Sequence, residues 1–133
     1  MPFINLAVVP EFGSSCAVPA RIGYLRAAEL ILLGLPFDAG RAAELGLVTQ
    51  IVSDQTLLAT ATETARKLAT KPAGALQASK KLMKGPFREQ IKAAMKSENE
   101  AFSVQVRSDD AKEALTAFLE KRKPDFTLSL IHI

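Results

Sequence analysis

Apolar positions along this chain fall into short runs and helical stripes separated by glycine and proline. Residues 3–9 are apolar apart from Asn5 and lie between Pro2 and Pro10, which predicts a strand or extended segment buried on both faces. Residues 11–19 carry small side chains and turn chemistry, with Gly13 able to bring the backbone close to another group. In residues 24–33, Leu25, Ala28 and Leu32 form a helical stripe, Gly34 stands where a helix ends, and Pro36 blocks continuation. Asp38 is placed to cap a short helix through Leu45 that Gly46 stops, and residues 47–52 read as a second strand. Ser53 or Asp54 then caps a helix to about Thr70, with Leu58, Ala61, Ala65, Leu68 and Ala69 on one side. Pro72 opens another helix to Lys84, and Gly85-Pro86 predicts a break. Phe87, Ile91, Ala94, Met95, Phe102 and Val106 keep helical spacing, and Ser108 caps a last helix bearing Ala111, Ala114, Leu115, Phe118, Leu119 and Arg122. Pro124 ends it.

The pattern is lopsided, with a little extended structure early and a helical array from about residue 53. Isolated short strands do not make a stable sheet, so they either pair weakly or need partner strands from elsewhere. At 133 residues and 48% hydrophobic composition, the chain is long enough and apolar enough to bury a core without disulfide or metal staples. The single cysteine, Cys16, fits a reducing cytoplasm. No stretch has the apolar length of a membrane span, and no secretory signal is visible.

Charge adds one feature. Residues 66–96 hold nine basic side chains against the single acid Glu89, a net of +8, whereas the remainder of the chain carries eight bases and thirteen acids. Phe87 is the one aromatic residue in that block, so it fits a solvated helix face or a small-polyanion site better than a nucleic-acid groove.

The tail has no cap and no helical continuity. Residues 128–133, LSLIHI, match the translation of a transposon-end oligonucleotide used in sequencing libraries, so 127–133 is expected to be a non-native tail. His132 is the one histidine in the chain, so a native segment without the tail would have no histidine for a triad or a histidine-rich metal site. The acids remain. Most lie beside lysines and arginines on helices, but Glu11 follows an apolar run and Pro10 and precedes small residues. A carboxylate emerging there is either a local cap for nearby N–H groups or a partly desolvated proton carrier.

Several segments carry a resemblance: NLAVVPEFGSS at 5–15, PARIG at 19–23, AELILLG at 28–34, AAELGLV at 42–48, and DDAKEALTAFLEKRK at 109–123. In this order and spacing they are similar to the C-terminal half of the crotonase superfamily of enoyl-CoA hydratases and isomerases. The resemblance implies an α/β fold, with residues 1–52 as the end of a ββα spiral core truncated at its N-terminus and residues 53–126 as a mainly helical trimerisation region. It also implies that the N–H donors of an oxyanion hole come from segments outside these residues, so the chain alone is expected to be inactive.

The implied chemistry is a Δ3-Δ2 shift of a double bond in an acyl-CoA thioester during fatty-acid metabolism. Glu11 matches the catalytic glutamate, and Ser14-Ser15 favours the isomerase branch over the alternative, enoyl-CoA hydratase. Phe118 and Lys121 match residues that reach CoA, and their i, i+3 spacing puts both on one helix face if the helix continues through them. Core packing for Phe118 and a solvated helix end for Lys121 are the competing readings. Acyl-CoA is then the substrate, with no separate cofactor and no metal, and the expected assembly is a homotrimer or dimer of trimers without nucleic acid or membrane span. A reading of another class is a non-catalytic helical interaction module.

Overall fold

Gly13, at φ +74°, starts a helix where turn chemistry alone was expected. The computed structural model describes residues 1–127. It contains a 3-10 turn, Ile4–Leu6, and six helices: α1 Ser14–Ile22, α2 Tyr24–Leu32, α3 Ala39–Glu44, α4 Asp54–Ala69, α5 Ala73–Gln105 and α6 Asp109–Leu119. Of the tail expected to be non-native, 127–133, all but Thr127 lies outside the described residues.

The two expected strands are not present among the described residues. Residues 3–9 instead wind into the 3-10 turn, which packs against α6 and leaves by Ala7 at φ +52°. Asn5 donates from Nδ2 to the Gly34 carbonyl at 2.9 Å, which ties this turn to the end of α2. Ile4 and Leu6 are exposed and Val8 is buried, so the run does not bury both faces. Residues 47–52 have no regular structure. A strand is stabilised by pairing its N–H and C=O groups with a neighbouring strand, and no second strand stands beside either segment among the described residues.

Local caps appear where the sequence places them. The Asp38 carboxylate accepts from the Arg41 N–H at 2.8 Å at the start of α3, and Ser108 Oγ accepts from the Ala111 N–H at 3.1 Å at the start of α6. Ser53 occupies the N-cap of α4, where its hydroxyl pairs with that of Thr56. Gly34 and Gly46 take left-handed conformations just past α2 and α3. The expected break at Gly85-Pro86 does not occur, because α5 runs through both residues. That surface is exposed, so water can satisfy the carbonyl group that a proline leaves without a helical donor.

The buried faces also differ from the expected stripes. In α2 the core side is Ala27, Leu30 and Ile31, while Leu25 and Leu32 face outward. In α6 it is Ala111, Ala114 and Ala117, with Leu115, Phe118 and Leu119 exposed. No residue of α4 is buried.

The chain divides into two compact units. Of the described residues, one unit comprises Met1–Phe37 with residues 90–127, and the other is Asp38–Glu89. The first holds Val8, Ile22, Ala27, Leu30, Ile31, the α6 alanines and the buried acid Glu98; the second buries Ala42 and Leu45.

Candidate active site around Glu11

Glu11 ends an irregular stretch after Pro10 and is half-buried. The next two residues, Phe12 at φ +59° and Gly13 at φ +74°, are both left-handed, which turns the chain into α1. For glycine this conformation is free of steric cost, but for phenylalanine it costs about 1–2 kcal/mol. The Phe12 side chain is 83% exposed, so its own burial does not offset that strain. Backbone strain beside an acid is a recurring mark of functional sites.

The N–H groups of residues 13–17 all have acceptors. Ser14 donates to the Glu11 carbonyl at 3.1 Å, and Cys16 and Ala17 donate to the Gly13 carbonyl at 3.1 and 2.8 Å. The remaining two, Gly13 and Ser15, donate to Glu98 Oε2 at 2.6 Å and Oε1 at 2.8 Å. Glu98, on α5, thus caps α1 from 85 residues away, with one oxygen on each N–H. It is 5% exposed.

The sequence reading left open whether Glu11 caps nearby N–H groups or carries protons. Glu98 does the capping. The Glu11 carboxylate makes no hydrogen bond or ion pair among the described residues, which leaves both of its oxygens open to a ligand. Sequence reasoning missed Glu98, because it lies among lysines and polar residues in SENE and its partner is remote in the chain. The available signal was helical spacing, since Ile91, Met95 and Glu98 share one face of α5. Beside the turn, Ser14 Oγ is buried without a hydrogen-bond partner among the described residues.

Phe118 and Lys121 lie at the other end of the unit's last helix. Phe118 is 71% exposed on α6, so among the described residues it is not part of the core. Lys121 falls outside the helix, correcting the premise that the two share a helical face. It stands at φ +56° in a C-terminal motif: its N–H donates to the Phe118 carbonyl at 3.2 Å, and the Arg122 N–H donates to the Ala117 carbonyl at 2.9 Å. Glu113 anchors the segment that follows. It pairs with Arg122, with Nη2 to Oε2 at 2.9 Å, and accepts from the Asp125 N–H at 2.8 Å. The Arg122 hydrogen bond, then that of Asp125, holds the Glu113 carboxyl down at about 2, and Glu113 in turn raises Arg122.

Among the described residues no group of three His, Cys, Asp or Glu side chains is placed to hold a metal ion. No helix there is long and apolar enough to cross a membrane.

The whole described chain has close counterparts. It is 35% identical over 127 residues to 1,2-epoxyphenylacetyl-CoA isomerase of Escherichia coli K12, covering 96% of this chain and 48% of that protein. It is 33% identical over 122 residues to the short-chain-enoyl-CoA hydratase of Clostridium acetobutylicum, covering 92% of this chain and 47% of that one. An enoyl-CoA hydratase/isomerase crystal structure from Pseudoalteromonas atlantica T6c superposes with a TM-score of 0.89 at 36% identity, over 95% of this chain and 51% of the other. The chain therefore spans about half the length of the relatives it matches. The family described as enoyl-CoA hydratase/isomerase matches residues 1–129. With that match covering nearly its full length, the chain belongs to the enoyl-CoA hydratase/isomerase family, the crotonase superfamily.

Proposed function

We propose that this chain supplies the proton-carrying half of an acyl-CoA double-bond isomerase, with Glu11 as the carrier. The observation that carries the reading is the half-buried, hydrogen-bond-free carboxylate of Glu11 in a strained turn whose capping is done by another acid. Such a carboxylate can take a proton from the α-carbon of a 3-enoyl thioester. The electron pair then delocalises onto the thioester oxygen as a dienolate, and the same carboxyl returns the proton at the γ-carbon. Donors to that oxygen lower the barrier; in this proposal they come from outside these residues, in a ββα spiral that residues 1–52 complete. Phe118 and Lys121 would meet the CoA moiety, the exposed ring by stacking and the ammonium by pairing with phosphate. The exposed apolar side chains of α4 and α6 support burial against further copies, in a cytoplasmic homotrimer or dimer of trimers.

Glu11→Gln in the whole protein keeps the shape of the side chain and removes the proton acceptor. Turnover of 3-enoyl-CoA to 2-enoyl-CoA is expected to fall by about 10²–10⁴-fold. Retained turnover would reduce Glu11 to a structural acid.

Hydration of 2-enoyl-CoA is the second reading, favoured by hydratases among the relatives. Water addition uses a second acid, and Glu98 is already committed to two N–H groups. Loss of enoyl-thioester absorbance with 2-enoyl-CoA as substrate separates the two activities.

A further inference from the structure

Glu98 is buried without a cation. Among the described residues it makes no ion pair, and its charge is met by the two N–H groups of Gly13 and Ser15 at the N-terminus of α1. Burying a carboxylate this way costs desolvation that a serine or aspartate within the turn would largely avoid while capping the same helix. The arrangement does something a local cap does not: it fixes the turn against a different helix.

That fixing occurs at several points. A Cβ placed on Gly13 would stand 3.0 Å from Ile91 Cγ2 and 3.5 Å from Met95 Cγ, so the backbone lies against the same face of α5 that carries Glu98. One oxygen of Glu98 holds residue 13 and the other holds residue 15, which sets the rotation of the turn as well as its position. Ser14, between the two held residues, donates its N–H to the Glu11 carbonyl at 3.1 Å. The backbone of Glu11 is therefore linked through one hydrogen bond to a segment clamped on both sides.

We propose that Glu98 is a positioning residue for Glu11, holding the proton carrier in register through the amides of Gly13 and Ser15. This rests on the reading of Glu11 as the proton carrier. The clamp requires two acceptors. A glutamine in the same space offers one acceptor and turns an NH2 group toward the other backbone N–H, so one side of the turn is released. An aspartate keeps the charge but lacks one methylene of reach. A displacement of about 1 Å at a reacting group can cost about 100-fold in rate.

The test compares Glu98→Gln, Glu98→Asp and Glu11→Gln in the whole protein. Steady-state kinetics with 3-enoyl-CoA are read together with the amide ¹H and ¹⁵N shifts of Gly13 and Ser15. Glu98→Gln is expected to lower kcat by about 10- to 100-fold with KM for the acyl-CoA within about twofold, and to move both amide protons upfield. Glu98→Asp is expected to lower kcat in the same way, and it serves as the deciding variant if the glutamine variant does not fold. A purely structural role would lower the amount of active protein or the melting temperature while leaving kcat per active site intact.

Undiminished kcat in a folded Glu98 variant, alongside an inactive Glu11→Gln, overturns the positioning role and spares the proton-carrier reading. An active Glu11→Gln overturns both, because there is then no carrier to position.

Discussion

Replacing Gly13 by alanine tests the geometry of the turn directly. Two effects oppose folding of the variant. The left-handed φ of +74° costs an L-residue about 1–2 kcal/mol. The new methyl stands 3.0 Å from Ile91 Cγ2, so the isoleucine must give way by a few tenths of an ångström, and a χ rotation that does so costs about 0.5–1.5 kcal/mol. One effect favours the variant, since alanine restricts the unfolded chain and returns about 0.4–1 kcal/mol. The net is a loss of about 2 kcal/mol. Gly46 is the control, because it has nearly the same φ, +73°, and nothing within 4 Å of the position a Cβ would take. Gly46→Ala carries the backbone term alone and should cost about 1 kcal/mol. Urea denaturation followed by circular dichroism measures both. Adding Ile91→Ala, which removes Cγ2, should bring the cost of Gly13→Ala down to that of Gly46→Ala, read as a coupling energy in a double-mutant cycle. If Gly13→Ala costs no more than Gly46→Ala, or if no coupling to Ile91 is found, the turn does not pack on α5 as described.

Two further outcomes concern the end of α6. Lys121 occupies a left-handed C′ position that glycine usually fills, so Lys121→Gly should raise stability by about 0.5–1 kcal/mol while raising the acyl-CoA KM. A fall in the melting temperature would contradict the conformation. Glu113 has a folded-state pKa lowered to about 2 from the ordinary value of 4.5, with the Arg122 hydrogen bond as the largest cause and the Asp125 N–H next. Because the folded value is depressed, the stabilisation is complete above about 4.5 and is lost as pH falls through about 2. A carboxyl ¹³C titration of Glu113 should find the low midpoint, Glu113→Gln should remove that pH dependence, and a midpoint near 4.5 would show that the ion pair does not form.

The two acids of the turn mark how far sequence alone reaches. Glu11 was legible because its signal is local: an apolar run, a proline, then small residues, repeated in the pattern of a known family. Asp38 and Ser108 were legible for the same reason, since a capping side chain and the N–H that it meets lie three residues apart. Glu98 was not, because its partners are 83 and 85 residues distant and nothing adjacent to it announces them. The same asymmetry hid α1. Gly13, two serines and Pro19 have weak helix preference, and the helix forms with a cap borrowed from α5. The stripe of α2 was misread because Leu25 and Leu32 fit a helical period as well as Ala27, Leu30 and Ile31 do; periodicity establishes a helix without deciding which of two adjoining faces is buried. The site thus divides by range of interaction. The group proposed to carry the proton is written in consecutive residues, and the group proposed to hold it in place is visible once distant segments meet. For that reason Glu98, rather than Glu11, is where a reading from sequence alone and one from structure give different accounts of the candidate site.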